Sequence, residues 1–444
     1  MYVLTYKDHF KANISLAYPV VLSQLGHILV NVADSMMVGQ LGTIELAASS
    51  LANSVFVVAM VFGLGVSYSI TPLVASAAGN NNHNRMSLLL VNGTVLCTLF
   101  GIAIAAAGYF FSPMLVYLNQ PAEVVEKAIP YITILFFSLL PLMVFQGFKQ
   151  FAEGMSVTKP PMLISIFANV LNVILNYALI YGKLGLPEMG MNGAAIATCI
   201  ARVLMAVLIA FYVLRSEDFK RYSYHFQRKY LSFIHMRRIT KIAFPISGQM
   251  IFEVGAFSFS AVMIGWLGAK ELAAHQIAIS TASVSYMMAS GLAAAGTIRV
   301  GMQAGRGDFS ELRKAGNSNM ILAVIFMTVC ALLFILLQNV IPHWYTQNAE
   351  VIQYAAGLLV IAGIFQISDG VQVVGLGVLR GLEDVKVPGL ISLLAYWVVA
   401  LPMGYVLGFK FGMGVYGVWT GLLVGLTIAA VLLYLRFRKL SHTH

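Results

Sequence analysis

Three acids in this chain stand where a carboxylate is costly: Asp34 in VNVADSMMVG, Glu253 in FPISGQMIFEV and Asp369 in SDGVQVVGLGVLRG. Each lies well inside a long apolar run, whereas the others among the 17 Asp and Glu residues fall in polar connections or within about two turns of a run's end. Inserting one charged side chain at the centre of a bilayer-spanning helix costs roughly 2.5–3.5 kcal/mol, so three approach a whole domain's net stability of about 5–15 kcal/mol. Something must offset that cost. Polar neighbours on adjacent helices could do so, with Arg202, Arg299 and the many Ser and Asn residues as available partners. A functional cation is the other offset. An ionised carboxylate is a hard oxygen ligand for a small cation and attracts a cationic solute, and a desolvated one can hold a proton instead. Asp34, Glu253 and Asp369 are therefore the candidate cation- or proton-binding residues.

Other polar residues form a second rank. Asn172 and Asn176, an i, i+4 pair in LNVILNYALIYG, share one helix face and are expected to line a cavity or to join helices by hydrogen bonds. His27 precedes Asp34 by seven residues, about two turns, which puts both on one side of a helix. Gln276, Gln366 and Gln372 are polar groups placed near the second-half acids in the chain. Among the 22 Met and the aromatic residues, some are expected to wall a cleft, since polarizable and aromatic surfaces accept varied planar cations.

These residues need elements long enough to carry them through a membrane. With 59% hydrophobic and 10% charged residues and a mean hydropathy of +0.83, the chain is not a soluble globule. Twelve apolar runs begin near residues 14, 47, 87, 128, 161, 191, 239, 276, 319, 351, 389 and 414. No small-residue cleavage pattern follows the first run, which is expected to remain as a span. An even number of spans places both termini on one side, and alternate connections should then carry the excess Lys and Arg. Lys127, Lys183, Lys270 and Lys410 fall on the opposite side and Arg202 inside a span, while the rest of the 27 basic residues fall on the terminal side. Both termini are thus expected in the cytoplasm, in a plasma membrane of the bacterial inner-membrane type. The net charge of +10 follows from this asymmetry and calls for no nucleic acid. Cys97, Cys199 and Cys330 lie in separate apolar runs and are read as packing residues.

The chain repeats itself. AYP at 17–19 recurs as AFP at 243–245, LGTIELAA at 41–48 as LGAKELAA at 267–274, and Ala78-Gly79 as Ala304-Gly305, each 226 residues on. Later the offset is 227, as in Gly154 with Gly381, Lys159 with Lys386 and Pro161 with Pro388. Each copy holds six spans, so both run through the membrane in the same direction. The expected organisation is a lobe at 1–214, a cytoplasmic connector at 215–238 and a second lobe at 239–444, all helical, with alternating access by rocking of the lobes. The acids do not obey the repeat, because Asp34 corresponds to Ser260, Glu253 to His27 and Asp369 to Leu142. The two copies have diverged in role.

ADSMMVGQLG, FPISGQMIFEV, LAAHQIA, IRVGMQAGRGD and above all SDGVQVVGLGVLRG resemble the MATE family of multidrug and toxic compound extrusion transporters, with the NorM-like branch as the best match. The resemblance covers all twelve spans. It implies a V-shaped pair of six-helix lobes, expected as a monomer among membrane lipids, that exports amphiphilic organic cations in exchange for sodium ions or protons, without a cofactor. It also assigns Glu253 and Asp369 to the coupling cation and Asp34 to transport. Relatives often carry Tyr where this chain has Phe365, four residues before Asp369, so a hydroxyl that could serve the cation is missing from this position of the cavity wall.

Rival classes are weaker. GRGD at 305–308 fits the GxGD pattern of membrane aspartyl proteases, yet hydrophilic FSELRKAGNSN follows it and the repeat pairs it with the loop GNNN at 79–82. HExxH, DDxxD and GxxxxGK[ST] are all missing, so an enzyme is not expected. A flippase of lipid-linked sugars from the same superfamily is the nearer rival, and it would call for several basic residues deep in the spans, where this chain has Arg202.

Overall fold

The computed structural model describes residues 5–118, 120–223 and 228–442. Among them are twelve helices long and apolar enough to cross a membrane: α1 (Tyr6–Gly39), α2 (Thr43–Gly79), α3 (His83–Leu118), α4 (Ala122–Gly154), α5 (Lys159–Ile180), α6 (Gly190–Arg215), α7 (Phe233–Gly265), α8 (Ala269–Arg306), α9 (Phe309–Leu336), α10 (Ala349–Gly381), α11 (Lys386–Lys410) and α12 (Gly414–His442). The count of twelve is the one expected. Several begin earlier than their apolar runs, α9 at 309 instead of 319, because polar residues cap and extend the helices beyond the hydrocarbon stretch. The caps repeat. Asn82 Oδ1 accepts from the Arg85 amide at 2.9 Å ahead of α3, and Asp308 Oδ1 accepts from the Glu311 amide at 3.0 Å ahead of α9, 226 residues on.

The chain forms two compact units, 22–247 and 1–21 with 248–444. These limits differ from the expected lobe boundaries at 214 and 239. Both changes of unit fall inside a helix, at Val21/Leu22 in α1 and at Ser247/Gly248 in α7, and the two sites are repeat equivalents. Residues 215–223 and 228–238 of the expected connector belong to the 22–247 unit, and its positions 224–227 lie outside the described residues.

Within each unit an equivalent close crossing holds the borrowed half-helix. In the 22–247 unit, a side chain at Gly65 of α2 would meet the Ser247 Cα at 2.5 Å. In the other unit, Gly291 of α8 faces Val21 and the Ala17 carbonyl, the latter at 3.1 Å from where a Cβ would stand. Only glycine lets the backbones approach this closely. The entries to these helices are held by hydrogen bonds at the equivalent positions 318 and 92: Asn13 donates to Ser318 Oγ at 3.0 Å, while Asn92 donates to the Tyr230 carbonyl at 3.0 Å and accepts from the Ser232 amide at 2.8 Å. Gly65→Leu and Gly291→Leu are each expected to cost about 1–3 kcal/mol by overpacking, read as a lower unfolding temperature and lower monodisperse yield in detergent. An unchanged unfolding temperature would show that these crossings are loose.

Candidate functional site

The 22–247 unit holds Asp34 in a polar joint between α1, α5 and α6. Asn176 donates to Asp34 Oδ1, and Asn172, one turn earlier on α5, lies 3.2 Å from the Asn176 amide nitrogen through its Oδ1. With its amide turned over, Asn172 instead donates to Asp34 Oδ1 at 3.3 Å and accepts from the Thr198 amide at 3.2 Å. Both asparagines are buried while Asp34 is half-buried, so the carboxylate keeps an open side. The i, i+4 spacing therefore brings two amides to one acid. Arg202 is satisfied elsewhere: Nη1 donates to Ser138 Oγ at 2.6 Å and the guanidinium lies 5.4 Å from the Phe56 ring centre. It remains close enough to Asp34 to act on it electrostatically. His27 is half-buried and within the electrostatic reach of Lys149 and Arg202.

The other unit holds Glu253 on α7 and Asp369 on α10, both buried, with the Glu253 charge acting on Asp369. Gln249, one turn before Glu253, donates to Glu253 Oε2 at 2.8 Å and accepts from Arg380 Nη2 at 2.5 Å. Tyr286 of α8 faces the same carboxyl, and Gln372 is near enough to influence it without a bond of hydrogen-bonding geometry. Tyr396, on a π-helical stretch of α11, is within reach of both acids. Its hydroxyl and both amide atoms of Gln366 and Gln372 are buried without a protein partner. Two desolvated carboxylates among unsatisfied oxygens, with Arg380 as the facing fixed cation, are suited to taking up a small cation or a proton.

Two expected residues stand apart. Gln276 is on the exposed face of α8, where its amide donates to Ser280 at 3.4 Å. Phe365 is buried with its ring 5.5 Å from that of Trp419, so it contributes to the core. Arg299 is engaged at the start of α1, with Nη2 2.9 Å from His9 Nδ1 and Nη1 3.1 Å from Asn13 Oδ1. Sequence reasoning missed two buried acids near helix ends. Glu311 accepts from His9 Nε2 at 3.0 Å, and Glu153 pairs with Lys149 at 3.7 Å, both members of the second pair being buried. The recurrence of His9 as His235, 226 residues on, was the available signal for the first.

The family profile described as MatE matches residues 19–178 and 245–406. The chain belongs to the MatE family. Relatives of this MatE chain include the probable multidrug resistance protein NorM of Agrobacterium fabrum, 34% identical over 97% of this chain and 94% of its own length. The multidrug resistance protein NorM of Photobacterium profundum is 33% identical over 98% and 96%. The MatE fold is seen in the crystal structure of the eukaryotic MATE transporter AtDTX14, with a TM-score of 0.89 and 23% identity over 99% of this chain and 98% of that one. It is also seen in an outward-facing multidrug resistance MATE transporter of the MOP superfamily, with a TM-score of 0.90 and 20% identity over 98% and 96%.

Proposed function

We propose that this protein is a secondary active exporter, exchanging amphiphilic organic cations for sodium ions or protons by alternating access. The observation that carries this reading is the buried pair Glu253 and Asp369 beside Gln249, Tyr286, Gln372 and Tyr396, an acid pair that requires a cation or a proton. The multidrug resistance named in its NorM relatives supports an organic cargo. Asp34, with Asn172 and Asn176, is the second ion- or cargo-responsive group. Both termini are cytoplasmic on the asymmetry of basic residues, and the protein works as a monomer among lipids.

Alternating access requires the units to move, and the chain passes between them only at 21/22 and 247/248. Bending is therefore taken up inside α1 and α7, next to the repeat-equivalent Pro19 and Pro245, and not in the connector. Cutting the chain within 224–227 should then leave export intact when both fragments are produced together.

The test uses purified protein in vesicles. Efflux of a fluorescent organic cation is followed with sodium and pH gradients imposed separately. Export driven by one of them, with no covalent change in the dye, is the expected result, and dye movement indifferent to both gradients would exclude ion-coupled exchange.

A further inference from the structure

The polar residues of the 22–247 unit continue past the Asp34 site toward the N-terminal end of α1. Asn176 meets Asp34, and eight residues before Asp34 a side chain at Gly26 would lie 2.7 Å from Asn169 Nδ2, which is seven residues before Asn176. The two helices thus run parallel in matched register. One further turn down, the same register sets Ser23 of α1 level with Ser165 of α5. Ser23 Oγ, Ser165 Oγ, Asn169 Nδ2 and Asn176 Oδ1 are all buried without a protein partner. Buried polar groups are nearly always satisfied, so four orphans in one file along a single helix joint require an occupant. From Ser23 to Asp34 the file covers about 16 Å at 1.5 Å per residue. His27 lies between the two ends, and Lys149 acts on it from α4, where it is paired with buried Glu153.

We propose that this file, Ser23–Ser165–Asn169–Asn176, is a water-bridged proton path joining Asp34 to the cytoplasmic side through the interior of the 22–247 unit. The inference rests on Asp34 being a coupling residue, and it adds the route by which its proton leaves. One proton passes from the Asp34 carboxyl to the nearest water of the file, and one leaves at the Ser23–Ser165 end. The carboxylate left behind is neutralised by one monovalent organic cation, so charge balances. The charged and titratable groups about the file are His27 on α1, Tyr131, Lys149 and Glu153 on α4, and Cys199 and Arg202 on α6. Lys149 and Arg202 oppose the lodging of a metal cation along the file, while a proton handed between waters need not lodge.

The test measures proton release driven by a monovalent organic cation in proteoliposomes carrying a trapped pH dye. Wild type is compared with Asp34→Asn, with the double variant Ser23→Ala/Ser165→Ala, and with Asn169→Leu and Asn169→Ser. The expected result is a fall of about tenfold in proton flux for the double variant and for Asn169→Leu, with unchanged affinity for the organic cation and partial recovery in Asn169→Ser. Removing two merely unpaired hydroxyls would instead raise thermal stability and leave the flux alone, which overturns the path. Wild-type flux that does not depend on Asp34 would overturn both the path and the coupling role of Asp34. Flux that needs Asp34 but ignores all the file variants would overturn the path alone.

Discussion

Glu253→Gln and Asp369→Asn are each expected to reduce gradient-driven export to the background of empty vesicles, with folded yield and unfolding temperature kept or raised. The two acids are buried on α7 and α10, so each carries the cost of desolvation, and Asp369 also carries that of the like charge of Glu253 nearby. A bound cation or proton relieves both. Removing one charge at nearly constant volume relieves the same repulsion permanently, which stabilises the unit but removes the reason for a coupling ion to bind. Loss of transport with equal or greater stability is therefore the signature of a site; loss of transport with loss of stability would mark a structural pair. Arg380 sharpens the distinction. It reaches Glu253 through Gln249, so Glu253→Gln leaves Arg380 with a bonded partner and should not unfold the helix joint. Normal export by both variants would dismiss this pair as the coupling site.

Much of this architecture was legible because membrane spans announce themselves by length and apolarity, and because the duplication, at offsets of 226 and 227, checked the number of spans a second time. Asp34, Glu253 and Asp369 were visible as charges inside apolar runs. The meeting of Glu253 with Asp369 was not, since it depends on how α7 packs against α10. Tyr396 was hidden for a related reason: its placement near both acids comes with a π-helical stretch at 394–400, and nothing in LAYWVVA distinguishes that from an ordinary helix. The division of α1 and α7 between units was equally hidden, because the glycines that permit it, Gly65 and Gly291, lie on other helices. Gln276 lies on the exposed face of α8, a placement that its distance along the chain from the acids does not give.

Asp34→Asn is expected to lower export at least tenfold and to flatten whatever pH dependence the wild type shows, at unchanged expression. Among the described residues Asp34 is the one ionisable carboxylate in its joint, receiving the Asn176 amide while its other side remains open. An amide donor holds the carboxyl in place in both its charged and its neutral forms, which fits a group that alternates between a proton and a cation. Asparagine at this position keeps the volume and a carbonyl acceptor for Asn176, so the helix joint should survive. It cannot release a proton or neutralise an organic cation, so exchange stops at the step where one replaces the other. Asn176→Ala gives the companion measurement. The acid is retained but loses its fixed orientation, so export should fall by a smaller factor while the pH dependence persists with its midpoint displaced. Equal export and an unaltered pH profile in Asp34→Asn would reduce this aspartate to a helix-packing group. Equal loss of the pH dependence in both variants would show that the asparagine, and not the acid alone, carries the titration.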